Sequence, residues 1–365
     1  MSAMNGPRVL IVGAGAIGLA CALRLAAGGA RVTVLEAGAR ESRRQRASAA
    51  AAGMLGPLSE ALHRHDQAHP AALELALASY DAWRGDPLWA CAGAAHGGAL
   101  LVGANAREAA ALAQARARAA ETLTRAAVTE RFGLRLAARE AVFVADEGVL
   151  DPGFALGALA ARVRDLGGVI NYGAPVVQIA AGAPARALGA DGELWRGDLI
   201  VLAPGAWAAP ALIAAAPALG RIYPAAGSAR LARMSKALCA NIRGDSFYLA
   251  ARGGEEAVLG ASMTFGSRAE TPDAAALATL AAAAEAALPG QTAPSAAPAW
   301  AGVRAMSPDW SPMIGRSGAC VVACGHSRNG WLLAPITAEI VGALVFETPL
   351  SPLWAAFGPE RFDSA

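Results

Sequence analysis

The chain has 365 residues, with 31 Lys plus Arg against 29 Asp plus Glu and a formal net charge of +2. That length is too great for one simple core, so two interleaved domains are expected, and so even a charge balance argues against a nucleic-acid partner. Hydrophobic residues make up 55%, yet the uncharged stretch 199–220 is interrupted by Pro204, Gly205, Pro210 and Pro217, which points to a buried strand, a loop and a short helix rather than a membrane span.

Residues 8–12 (RVLIV) form a short branched apolar run and read as a buried parallel strand. They lead directly into Gly13-Ala14-Gly15-Ala16-Ile17-Gly18 and then a helix with Leu19, Leu23 and Ala26 on one face, closed by Gly28-Gly29. A second strand, 31–35, delivers Glu36 and Ala37. This is a βαβ unit with GxGxxG at its first turn and an acid at the end of its second strand. Gly13 allows the tight turn, Gly15 lets a pyrophosphate approach the backbone, and Gly18 lets helix and strand pack closely. The orphan amides of the helix N-terminus face the phosphates, and Glu36 can accept from a ribose hydroxyl. A merely structural glycine turn is the alternative, and the unit alone does not separate FAD from NAD. Because the first apolar run is this strand, no signal peptide is expected, and the expected location is cytoplasmic.

A polar, basic loop (39–46) follows. Then Ala47 and Ser48 open the run SAAAAGMLGP, with Ala52, Gly53, Met54 and Gly56 in it and Glu60 close behind. Small residues in a row let backbone lie against a flat ligand; an alanine-rich helix is the alternative, less attractive because of Gly53 and Gly56. Residues 70–83 and 107–125 read as amphipathic helices. Residues 97–102 read as a strand opened by glycines, and 141–145 as a strand leading to the turn GVLDP at 148–152. A helix over 154–166 and strands over 169–172 and 175–179 follow, the last containing Val176. Residues 198–202 are a buried strand leading into Ala203-Pro204-Gly205-Ala206-Trp207. Residues 247–249 and 257–263 read as paired strands joined through Gly253-Gly254, and 277–288 as a helix closed by Pro289-Gly290. A strand over 320–324 enters Gly325-His326-Ser327-Arg328-Asn329-Gly330-Trp331-Leu332, another glycine-flanked turn at the start of an apolar helix. Five cysteines are scattered along the chain; Cys320 and Cys324 read as buried thiols, and no metal site is expected.

Several of these stretches resemble a known family. SAAAAGMLGPLSE is similar to the AAAGML segment of the glycine oxidase branch of the D-amino-acid oxidase flavoproteins. APGAW resembles the family's AxGxW turn. WAGVRAMSPDWSPMIG resembles its WxGxRP…DxxPxIG, and GHSRNGWLLAP its GHxRNGILLAP. The resemblance spans nearly the whole chain. RIYPAAGS matches the family's PVKGQ-like crossing only in part, Ser246 stands where the family can have histidine, and Ala305 stands in place of proline.

The resemblance implies an α/β fold: a Rossmann-type FAD-binding domain with an interleaved α+β substrate domain built on an antiparallel sheet. The expected division gives 1–85, 149–220 and 300–365 to the FAD-binding domain, and 86–148 and 221–299 to the substrate domain. It implies that the AAAGML segment, 50–55, lies along the isoalloxazine ring with Ala47 and Ser48 also at the cofactor, that Val176 contacts the adenine end, and that residues 325–332 hold the pyrimidine side. FAD is expected to be noncovalent, since Met306 and Ser307, not cysteine, lie where sarcosine oxidase relatives attach it. The implied activity is oxidation of glycine, sarcosine or small D-amino acids, with O2 and water, to the 2-oxo acid, ammonia or amine, and hydrogen peroxide, in the thiazole branch of thiamine synthesis. Such chemistry is mainly positioning in a dry pocket, with the substrate's α-hydrogen toward flavin N5.

The expected carboxylate clamp is Arg304, since a guanidinium is planar, charged and bidentate toward carboxylates. Tyr248 would add a hydroxyl bond, and Met263 would line the small pocket. Arg328 and Gly56 would offer carbonyls near the amine, and His326 would orient the flavin loop. A surface salt bridge for Arg304, a sheet-packing role for Tyr248 and a core role for Met263 are the competing readings. An alternative activity is a D-amino-acid or secondary-amine dehydrogenase passing electrons to a quinone, although no membrane anchor is visible; a non-catalytic partner-binding flavoprotein is a third reading. A homo-oligomer is compatible with the family.

Overall fold

The computed structural model describes residues 6–39, 46–62, 69–104, 106–182, 184–293 and 298–363. The strand Arg8–Val12 lies near the centre of a six-stranded sheet. Across that sheet the order is Met313–Ser317, Cys320–Cys324, Leu199–Leu202, Arg8–Val12, Arg31–Glu36 and Val169–Tyr172. All pairings are parallel except the hairpin that joins Met313–Ser317 to Cys320–Cys324.

Strand alternation divides the apolar residues between two layers. Val9, Ile11, Val32 and Val34 pack on helices Ala16–Ala27, Pro152–Asp165 and Gly330–Phe346. Leu10, Val12, Leu35 and Ile200 face the opposite way, toward Val176, Ala187 and Trp195 of a three-stranded antiparallel sheet. Burial on both faces explains why Arg8–Val12 reads as an apolar run and not as an alternation. Asp151 caps the helix Pro152–Asp165 by accepting from the Phe154 N–H at 2.7 Å, with proline at the first helical position.

The second large sheet runs Thr264–Phe265, Tyr223–Met234, Glu256–Gly260, Tyr248–Ala251, Asn241–Arg243, Ala99–Leu101, Glu140–Val144 and Ala120–Thr124. It is antiparallel apart from the contact of Asn241–Arg243 with Ala99–Leu101. Ala274–Ala287 packs against it around Leu277, Leu280 and Ala284. Its strands come from two separated parts of the chain, so the two sheets are interleaved in sequence.

Two elements differ from expectation. The helix expected over 107–125 stops at Ala115; the chain turns through Ala117 at φ 51 and forms the strand Ala120–Thr124. Alanine content suggests helix there, but pairing with Glu140–Val144 prevails. Within the stretch RIYPAAGS, residues 223–228 open a 12-residue strand, Tyr223–Met234, while Arg221 ends the preceding turn. Residues of the WAGVR motif form Ala299–Met306, which pairs with Tyr223–Met234 over eight residues, so this strand, expected to open the last FAD-binding segment, completes the substrate sheet.

Candidate active site

Two cavities meet where the sheets face each other. One, of about 240 Å³, lies against the glycine turn. It is lined by Gly13, Gly15, Ala16, Ile17, Glu36 and Ala37, by Ala47 and Ser48, by Val176, Gly205 and Trp207, and by Gly325, His326, Ser327 and Gly330. The other, of about 450 Å³, is lined by Ala52, Gly53, Met54, Tyr248, Met263, Arg304, Arg328, Asn329 and Trp331 among others. Ala47, Ser48, Ser327 and Gly330 belong to both walls.

The turn is built as the motif requires. Gly13 has φ 107 and passes so close to Ala203 that a Cβ would lie 3.0 Å from its carbonyl carbon. Gly18 lines neither cavity; a Cβ there would lie 2.9 Å from the Gly13 carbonyl carbon, so its role is the close helix–strand packing. The Glu36 carboxylate accepts from the Ala14 N–H at 2.6 Å and the Gly38 N–H at 2.9 Å, which fixes it at the cavity wall. The Trp207 indole N–H, in the same wall, is buried and has no partner among the described residues. A buried donor of that kind is costly unless a ligand meets it. His326 donates to or accepts from the Thr337 hydroxyl at 2.9 Å; burial holds its pKa down at about 3, so its ring is neutral. An elongated double cavity with backbone amides and an acid at one end fits a dinucleotide with a flat ring system at the other.

Strand register places the substrate-side residues. Phe265, Ala225 and Arg304 lie in one row across three neighbouring strands, and Tyr248, Gly260, Ala229 and Trp300 in another. Ala225 and Ala229 are four residues apart on one strand, so both rows point to the same face. The rows enclose a floor of small residues, including Gly227 opposite Gly302. A Cβ on Gly260 would lie 2.6 Å from Tyr248 Cζ, so the glycine makes room for the phenol ring.

Arg304 is half-buried, and its Nη1 donates to the Ser262 carbonyl at 3.2 Å. Burial lowers its pKa, opposed by Tyr248 and Glu60 and reinforced by Arg328; a guanidinium nevertheless stays charged. Burial raises the Tyr248 pKa, with Arg304, Arg243 and Arg252 pulling the other way. The phenol is therefore a neutral donor beside a cation.

Residues absent from the expected set complete the site. Glu60 pairs with Arg243 at 2.8 Å and with Arg328 at 3.2 Å, and all three line the larger cavity. Arg328 also lies over the Trp310 ring, 5.6 Å from its centroid. Its guanidinium thus lines the site too, where a mainly backbone role was expected. Only the position of Glu60 just after the small-residue run hinted at its place; nothing local marked Arg243. Gly56 lines neither cavity. Its carbonyl accepts the Glu60 N–H at 3.0 Å as the first turn of helix Pro57–Ala61. Leu332 is also outside both walls: it is buried in the core, and its carbonyl accepts from Ser79 Oγ at 2.7 Å.

The cavity pair, the glycine turn and the positions of the other motifs define a dinucleotide-dependent oxidoreductase. Residues 8–344 match the DAO family, described as FAD dependent oxidoreductase, and the chain belongs to that family. FAD is the cofactor that family uses, and the residues present fit it. Among relatives, the chain is 31% identical to glycine oxidase of Bacillus licheniformis over 225 residues, which is 60% of this chain and 60% of that protein. It is 47% identical over 66 residues to the bifunctional protein ThiO/ThiG of Synechocystis sp., 17% of this chain and 10% of that one. The chain therefore spans less than two thirds of the length of these curated relatives, 60% of the first and 10% of the second. The crystal structure of glycine oxidase from Geobacillus kaustophilus superposes with a TM-score of 0.82 at 26% identity, over 97% of this chain and 98% of that one. Among the described residues no helix is long and apolar enough to cross a membrane, and no group of His, Cys, Asp and Glu is placed to hold a metal ion.

Proposed function

We propose that this protein oxidises glycine, sarcosine or a small D-amino acid to the 2-oxo acid and ammonia or amine, and that it serves thiamine synthesis. The observation that carries the reading is Arg304 beside Tyr248 on the floor of a cavity whose other wall is formed by residues 47–54 and 327–331. The Arg304 guanidinium grips the substrate carboxylate, and the Tyr248 hydroxyl donates a second bond. With the carboxylate fixed, Cα and the amine are held toward the opposite wall, and positioning of this kind supplies much of the rate enhancement. Bound noncovalently, FAD would supply the two-electron acceptor, with O2 as the terminal oxidant giving hydrogen peroxide and water as the source of the 2-oxo oxygen. Arg328 holds the amine end of the cavity, its guanidinium tied to Glu60. The similarity to glycine oxidases in sequence and structure supports the substrate class, and the ThiO/ThiG relative supports the pathway. The test is peroxide release from glycine. Arg304→Ala removes a charge-assisted pair and is expected to raise KM roughly 100-fold; unchanged glycine kinetics would reject the clamp.

A further inference from the structure

The segment Ser48 to Ala52 carries almost no side chains with which to hold itself. Its short helix, Ala47–Ala50, is four residues long, and a helix of that length does not persist alone. Three side chains from elsewhere fasten it. Trp331 Nε1 donates to the Ser48 carbonyl at 3.0 Å. Trp300 Nε1 donates to the Ala50 carbonyl at 2.8 Å. Arg252 Nη2 donates to the Ala52 carbonyl at 2.7 Å. Every second carbonyl over five residues is thus taken, by donors from the first turn of helix Gly330–Phe346, from strand Ala299–Met306 and from the residue after strand Tyr248–Ala251. Trp331 is buried, and Arg252 is one-tenth exposed at its side chain. Arg252 also donates to the Ala251 carbonyl at 3.1 Å, so its fork is fixed at more than one point. Trp331 stands where the family motif quoted above has isoleucine, so this donor is a departure of the present chain.

We infer that Arg252, Trp300 and Trp331 are positioning residues that set the path of Ser48–Ala52 before FAD arrives, so that the segment presents a ready-made wall to the flat end of the cofactor. Ser48 and Ala50 to Met54 line the larger cavity directly. Arg252 and Trp300 lie outside the cavity lining and act through the backbone they hold, whereas Trp331 both holds that backbone and lines the larger cavity itself. A wall ordered in advance costs less to bind against than one that must be ordered on binding. The inference rests on the family's use of FAD and is independent of which amine is oxidised.

The test removes one donor at a time and reads FAD binding to the apoprotein by quenching of flavin fluorescence, together with the sulfite concentration that half-bleaches the flavin. Trp300→Phe, Trp331→Phe and Arg252→Met are each expected to weaken FAD binding about five- to tenfold, the worth of one net hydrogen bond. Each is also expected to shift the sulfite midpoint at least threefold. Arg252→Lys keeps one donor and is expected to recover most of the loss. If a phenylalanine variant does not fold, benzothienylalanine at the same position keeps the tryptophan shape and removes only the N–H. FAD affinity and sulfite midpoints within twofold of wild type in all three would overturn the inference. A wild-type protein that takes up no FAD would overturn the cofactor assignment itself, a distinct result.

Discussion

Gly227 lies beside the Arg304 guanidinium, and a Cβ on Gly227 would fall 2.8 Å from Arg304 Cζ. The two residues sit on adjacent strands, and Gly227 pairs with Gly302, two positions before the arginine. The same Cβ would also overlap the Ser262 carbonyl that Arg304 uses as acceptor. Gly227→Ala is therefore expected to push the guanidinium off its place and raise KM about tenfold or more, with a smaller change in kcat. Steady-state kinetics on glycine check this; an unchanged KM would show that Arg304 does not need the space.

Tyr248 separates packing from binding. Its ring fills space left open by Gly260, so Tyr248→Phe keeps the packing and removes only the hydroxyl. The expected result is a Tm close to wild type with KM raised about ten- to a hundredfold, the loss of one hydrogen bond to a charged group. A fall in Tm with unchanged KM would assign the tyrosine to the sheet alone.

Acid precipitation is expected to release the yellow chromophore into solution. The residues after Arg304 are Ala305, Met306 and Ser307. The thiol in the smaller cavity, Cys324, is buried, and its pKa is pushed up to about 12 by burial, so it is not a nucleophile at neutral pH. Colour retained in the pellet would mean a covalent link.

Stability should fall as pH rises from 5 to 8. Burial raises the Glu147 pKa from 4.5 to about 7, although bonds from the Ser59 N–H and hydroxyl and the charge of Arg243 oppose the shift. The folded protein then binds this proton more tightly than the unfolded chain. The stability it contributes is present in full below about pH 4.5 and is lost as pH rises through 7. Thermal melts of wild type against Glu147→Gln check this; the variant should lose that part of the pH dependence.

The βαβ unit was legible in the sequence because glycine spacing, strand composition and the terminal acid are all local. The strands Tyr248–Ala251 and Glu256–Gly260 were legible for the same reason, through Gly253-Gly254. Ala120–Thr124 was not, because its partner strand and not its own composition decides its state. Arg243 and Glu60 escaped because their meaning lies in a contact across 183 residues, which no local spacing encodes. Gly56 stands outside both cavity walls, at the start of helix Pro57–Ala61.

The most direct measurement is anaerobic titration of the FAD-loaded protein with glycine, sarcosine and small D-amino acids, in wild type and Arg304→Ala, following flavin absorbance. Bleaching of the wild type by at least one of them, at a concentration raised roughly 100-fold in the variant, is the predicted result. No bleaching by any small amino acid, or identical titrations for the two proteins, would contradict it.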